Sequence, residues 1–134
     1  MSVGASLELL APRADVWAFL AEPYHLSDWW PGLTGVRPDR RGFAPGARWQ
    51  VTARVRNVIL GSRPVETVLL VRDVELFERW SWHLVAQRLD VEVRLRAVAD
   101  DRTEVTVTTS RGRSSLPKLA VKRLYDLVQT AATL

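Results

Sequence analysis

Apolar and polar residues alternate through most of this chain. Val3, Ala5, Leu7 and Leu9 alternate with Ser2, Gly4, Ser6 and Glu8, the period of a strand with one buried face. The same period returns in Ala47, Trp49, Val51, Ala53 and Val55, set against Arg48, Gln50, Thr52, Arg54 and Arg56. Trp80, Trp82, Leu84 and Ala86 alternate with Arg79, Ser81, His83 and Gln87; Val91, Val93, Leu95 and Ala97 alternate with Asp90, Glu92, Arg94 and Arg96. In Thr103 to Ser110, Val105, Val107 and Thr109 share a face. Val65 to Leu76 also reads as strand but changes parity. Glu66 and Arg72 argue for one outward face, Asp73 and Glu75 for the other, which predicts a bulge near Arg72. With a short strand near Val36, about seven strands are expected.

Helical periodicity occupies the remainder. Ala11 and Pro12 open a helix with proline at its first position and Asp15 in its first turn. Val16, Trp17, Phe19 and Leu20 form its apolar side, and Pro23 ends it at Glu22. A second short helix, Tyr24 to Trp30, is broken by Pro31 and Gly32. Ser115 to Leu134 predicts a long helix with Pro117 in its first turn. On its wheel Leu116, Ala120, Val121, Leu124, Tyr125, Leu127, Val128, Ala131, Ala132 and Leu134 take one half, and only Leu119 breaks the division. An apolar arc of about 180° is wider than the stripe of about 100° that suits a flat surface. The helix either closes an ordinary core or is gripped by a curved sheet with an apolar pocket between.

Strands and helices kept apart in this way point to an α+β fold. A twisted antiparallel sheet with one apolar face curls, and the terminal helix is the main element left to cover it. The 134 residues suit one domain spanning 1–134. Cysteine is absent, so thiol chemistry and disulfides are excluded. Met1 to Leu10 lacks a basic, apolar leader pattern and no long apolar run follows. A soluble, cytoplasmic protein without membrane insertion is therefore expected. The formal charge is +4, but acids interrupt the bases along the strands. The clusters Arg37, Arg40, Arg41 and Arg111, Arg113 fall in expected turns, so no nucleic-acid surface is read from them.

Several motifs occur in the order found in one known group. Ala11-Pro12 precedes Asp15-Val16-Trp17 and Leu20; Pro23, Trp29-Trp30-Pro31-Gly32, and Pro45-Gly46 leading to Trp49 follow. Over essentially its whole length the chain resembles the SRPBCC superfamily. That superfamily includes START-related lipid carriers, pathogenesis-related plant proteins and polyketide cyclase/dehydrase-like proteins. The resemblance implies a helix-grip fold: a curved antiparallel sheet wrapped around the C-terminal helix, with two short helices after strand one. It also implies a cavity between sheet and helix for an apolar or amphipathic small molecule, without implying one reaction.

The chemistry of the residues narrows this further. His25 and His83 lie far apart, no metal-ligand spacing is present, and neither a serine-nucleophile motif nor a phosphate-binding glycine loop occurs. No metal or cofactor is expected. By parity His83 faces solvent, and His25 is read as exposed near the mouth of the cavity. The arginines fall on the outward parity, and the inward polar set is Thr109 with, depending on register, Thr67 or Asp73. Six tryptophans are the most unusual feature; they either fill a large core or line a pocket for a flat ligand. The expected lining is Trp30, Trp49, Val51, Leu69, Trp80, Trp82, Leu84, Val93, Ala120, Leu124 and Leu127, with Trp29 and Trp30 at the entrance. The expected partner is an apolar or aromatic small molecule, bound by a monomer or homodimer that serves as carrier, sensor or sequestering protein. The alternative is a polyketide cyclase/dehydrase-type enzyme acting by positioning and proton transfer in the same cavity, with Tyr24, Tyr125 and Asp73 in reach. A protein–protein adaptor is a third reading, resting on the mixed faces of Val65 to Leu76.

Overall fold

The structure, a computed structural model, describes residues 2–57 and 61–133, with side chains over 2–54 and 63–130. Val55, Ala131, Ala132 and Leu134, which complete the expected strand and helix patterns, lie outside the described side chains. The chain runs β1 (Val3–Leu9), α1 (Arg13–Leu20), a single 3-10 turn (Pro23–His25), α2 (Leu26–Trp29) and β2 (Leu33–Arg37). It continues through β3 (Arg48–Asn57), β4 (Gly61–Glu75), β5 (Arg79–Leu84), β6 (Leu89–Ala99), β7 (Arg102–Thr109) and α3 (Ser115–Thr133). The seven strands form one curved antiparallel sheet in the order β1-β7-β6-β5-β4-β3-β2. Consecutive strands from β2 to β7 are neighbours, and β1 returns to pair with β7. This is the α+β arrangement expected from the segregation of strands and helices.

Parity sets the faces. Trp49, Val51, Ala53, Leu69, Val71, Trp80, Trp82, Leu84, Val91, Val93, Leu95, Val105 and Val107 are buried, while their neighbours Arg48, Gln50, Arg54, Arg72, Arg94 and Arg96 are exposed. The expected change of parity in β4 occurs between Val71 and Asp73, where the ladder to β5 shifts register. That bulge turns Asp73 outward beside Ser81 and brings Val74 inward opposite Trp80. Asp73 is thereby removed from the inward set, and Thr67 remains in it, half-buried, its Oγ1 accepting from the Ala86 backbone N–H at 3.0 Å. Ala86 itself lies beyond the end of β5 and is exposed, since Val85 to Arg88 form the turn into β6.

The helices differ from expectation in detail. Pro12 is the residue before α1 and not its first, and the second helix divides into the 3-10 turn and a single α turn. Among the described side chains of α3 the fully buried ones are Pro117, Ala120, Val121, Leu124 and Val128, an arc of about 100° at about 100° per residue. Leu116, Tyr125 and Leu127 flank it half-buried and Leu119 is exposed. The stripe is therefore the ordinary width for a helix on a surface, not the enclosed half circle. The backbone of α3 lies nearest β1, β7 and α2, so it covers one side of the concave face. The rest of that face is roofed differently.

Candidate functional site

The concave face above β3, β4 and β5 is aromatic. Trp49, Trp80 and Trp82 rise from the strands, and all three are completely shielded from solvent. Their cover comes from two short segments. Trp29 and Trp30, on and just after α2, meet Trp82 edge-on at centroid distances of 5.9 and 5.5 Å. Phe43, from the connection between β2 and β3, lies 4.4 Å from Trp80 and 6.4 Å from Trp49. Phe43 also meets Trp17 of α1 edge-on at 5.6 Å. Eight aromatic rings are thus continuous from α1 to α2, with Phe77 joining through Trp17 at 6.3 Å. Such T-shaped and tilted pairs each add about 0.5–1.5 kcal/mol to the burial of their area.

The Phe43 connection is held at its base and along its backbone, where the Gly42, Ala44 and Gly46 N–H groups donate to the Asp39, Arg41 and Val71 carbonyls. Asp39 accepts backbone hydrogen bonds from Arg41 and Arg48, both at 2.9 Å. The Arg48 N–H is the main reason its carboxyl is held below the usual carboxylate range, with burial opposing and the Arg41 and Gly42 amides adding. Gly42 and Gly46, on either side of Phe43, have φ of 58° and 88°, a region that other residues enter only at a cost.

Every expected lining residue is inside except one. Trp30, Trp49, Val51, Leu69, Trp80, Trp82, Leu84, Val93, Ala120 and Leu124 are buried, and Leu127 is half-buried against the same core. The ladder brings Trp49, Leu69 and Leu84 into one row, Trp82, Val91 and Thr109 into another, and Trp80, Val93 and Val107 into the next. Trp29 and Trp30, read from sequence as an entrance, are fully covered in the roof itself. Phe43 escaped the sequence reading. Its signal was an isolated aromatic in the polar, glycine- and proline-bearing stretch Arg40 to Gly46, a side chain with no local periodicity that could only be satisfied by docking elsewhere.

Buried polar groups divide into paired and unpaired. Trp49 Nε1 donates to the Gly42 carbonyl at 2.6 Å, and Thr103 Oγ1 donates to the Ala11 carbonyl at 2.9 Å. Trp80 Nε1, Trp82 Nε1 and Thr109 Oγ1 have no hydrogen-bond partner among the described residues. A buried donor left unpaired costs about 1–3 kcal/mol. Of the groups expected to serve proton transfer, Tyr125 is half-buried against the core, and the other two lie elsewhere. Tyr24 is 61% exposed, and Asp73 accepts from Ser81 and faces Arg79 on the outer side. His25 is half-buried, not exposed: it stacks on Phe19 at 4.1 Å and its Nδ1–H donates to the Phe19 carbonyl at 2.8 Å. His83 keeps the outward parity but is also half-buried, its Nδ1–H donating to Asp90 at 2.9 Å.

The outer face is a lattice of exposed ion pairs, among them Arg79 with Glu75 at 2.9 Å and Arg96 with Glu104 at 3.3 Å. Such pairs contribute about 0–1 kcal/mol each. A groove of about 410 Å³ is bordered by Arg72, Ser81, Asp90 and Glu92, with Trp82 and Val91 also contributing to its lining. Among the described residues no cluster of three His, Asp or Glu could hold a metal ion, and no helix is long and apolar enough to cross a membrane.

The architecture is a helix-grip α+β fold, which solved structures share at low sequence identity. A norcoclaurine synthase from Thalictrum flavum, a point mutant in complex with a transition-state analogue, matches 98% of this chain and 96% of its own length with a TM-score of 0.72 at 14% identity. An AHSA1-like protein from Aeromonas hydrophila matches 98% and 94% with a TM-score of 0.71 at 18% identity. The di-domain aromatase/cyclase StfQ of the steffimycin biosynthetic pathway matches 97% of this chain over 44% of its own length, with a TM-score of 0.66 at 18% identity. No protein-family model and no curated protein matches the chain. At these identities the likeness concerns the fold.

Proposed function

We propose that this domain binds an apolar or amphipathic small molecule between the concave face of the sheet and its roof, as a carrier, sensor or sequestering protein. The observation that carries this reading is the construction of the roof over Trp80 and Trp82. A long helix could have sealed this half of the sheet. Instead it is closed by a single helical turn bearing Trp29 and Trp30 and by a glycine-flanked connection bearing Phe43. Displacing a side chain of such a segment leaves the strands and α3 in place, since structures open locally without unfolding as a whole. The rings beneath offer the flat apolar surface that small-molecule sites use. A ligand enters by displacing Phe43 or Trp30 and takes over their contacts with the tryptophans.

The enzyme reading needs convergent polar groups, and the buried polar side chains among the described residues are Thr103 and Thr109. That composition supports binding over proton-transfer chemistry. Titration with N-phenyl-1-naphthylamine, a neutral apolar fluorophore excited by energy transfer from the indoles, tests the reading. Saturation at one probe per chain with micromolar affinity, about −8 kcal/mol, is expected. Emission that rises without saturating contradicts it.

A further inference from the structure

Trp49, Trp80 and Trp82 are equally shielded from solvent, and an indole N–H can donate but never accept. The fold satisfies the first, through the Gly42 carbonyl, and leaves the other two without a partner among the described residues. Packing does not require this. Phenylalanine at positions 80 and 82 would supply aromatic faces to Phe43, Trp29 and Trp30 with no donor to bury. The threonines repeat the contrast, Thr103 being paired and Thr109 not. Thr109 lies in the ladder row of Trp82, separated from it by Val91. A hydroxyl can turn to donate or accept, so the two indoles decide the polarity of what fits here. They ask for an acceptor.

Charge narrows the acceptor. No Lys, Arg or His among the described residues is buried, and an anion without a buried cation would be strongly disfavoured in this interior. A pure hydrocarbon would leave both N–H groups as they are. The rings of Trp80 and Trp82 lie 4.4 Å apart on one strand face, within the span of a small planar molecule. We propose that the ligand is a neutral, flat, apolar molecule bearing a carbonyl oxygen that accepts from the Trp80 and Trp82 indole N–H groups. This inference rests on the binding reading above and adds the chemical class of the ligand.

The experiment compares 9-fluorenone with fluorene, planar three-ring molecules that differ by the carbonyl. Affinities are measured for the parent and for the Trp80→Phe, Trp82→Phe double variant, and the indole N–H resonances of the parent are followed by NMR. Fluorenone should bind the parent about tenfold more tightly than fluorene. It should move the Trp80 and Trp82 Nε1–H signals further downfield than fluorene does, because both ligands add ring currents and only fluorenone adds a hydrogen bond. In the double variant the preference should vanish through loss of fluorenone affinity. Equal affinities in the parent with no further downfield shift from fluorenone overturn the carbonyl inference and leave the binding reading standing. Binding of neither compound overturns both. The parent spectra decide the question even where the double variant fails to fold.

Discussion

Trp49 and Trp80 stand with ring centroids 5.8 Å apart, both wholly buried, yet of the two only Trp49 has an acceptor for its N–H among the described residues. The acceptor is the carbonyl of Gly42, in the same connection that presents Phe43 to Trp80. One segment therefore both satisfies the first indole and covers the second. Moving it would expose the aromatic floor and free the Trp49 N–H together.

In the proposed site Phe43 is the gate. Phe43→Ala should raise the association rate of N-phenyl-1-naphthylamine several-fold, because the ring no longer has to leave Trp80 before the probe arrives. Stopped-flow mixing measures this; an unchanged rate would place the route of access elsewhere.

Asp39 anchors the same connection and should impose a pH dependence on stability. Its folded pKa lies below the ordinary value of 3.8, so its contribution is present above that value and is lost as pH falls through the folded pKa. The Asp39→Asn variant should be less stable than the parent at neutral pH, and the gap should close in acid. Thermal melts of both proteins across the acid range check the sign; a gap that widens in acid contradicts the assignment.

The grip of α3 rests on its narrow buried stripe. Leu124 is fully buried at the middle of that stripe, and Leu124→Ala should lower stability by about 2–5 kcal/mol in denaturant unfolding. Leu119→Ala, on the exposed side at 41% exposure, should change it by about 0.5 kcal/mol or less.

Arg88 offers a gain of stability. It is exposed in the turn between β5 and β6 with φ of 49°, a conformation that costs a side-chain-bearing residue about 1–2 kcal/mol. Arg88→Gly relieves that cost against the greater freedom of glycine in the unfolded chain, and should raise stability by up to about 1 kcal/mol. Equilibrium unfolding of the two proteins measures the difference.

Much of this was legible because a half-buried antiparallel strand repeats every two residues. Trp49, Leu69, Trp80, Trp82, Leu84 and Val93 could be placed on one side without any knowledge of pairing. The reversal of parity between Arg72 and Asp73 marked a bulge for the same reason. What escaped depends on contacts between distant parts of the chain. The pairing of β1 with β7 carries α3 to one half of the sheet, and nothing in its own wheel says which half. The helix also looked wider than its buried stripe, since Leu116 and Leu127 are apolar but only flank the contact. Phe43 had no period to betray it. The unpaired N–H groups of Trp80 and Trp82 arise from where other residues are absent, which spacing along a sequence does not encode.

The central claim is that the aromatic interior, and not the charged outer face, receives a small molecule. Its most direct test is the affinity of N-phenyl-1-naphthylamine for the parent, for Trp82→Ala and for Arg94→Ala, with the folded fraction of each variant fixed beforehand by circular dichroism. Trp82 is buried in the floor of the proposed site and Arg94 is exposed on the opposite face, paired with Glu92. The account predicts an affinity change of about tenfold or more for Trp82→Ala and less than about twofold for Arg94→Ala. Equal effects from the two substitutions, or a larger one from Arg94→Ala, would contradict it.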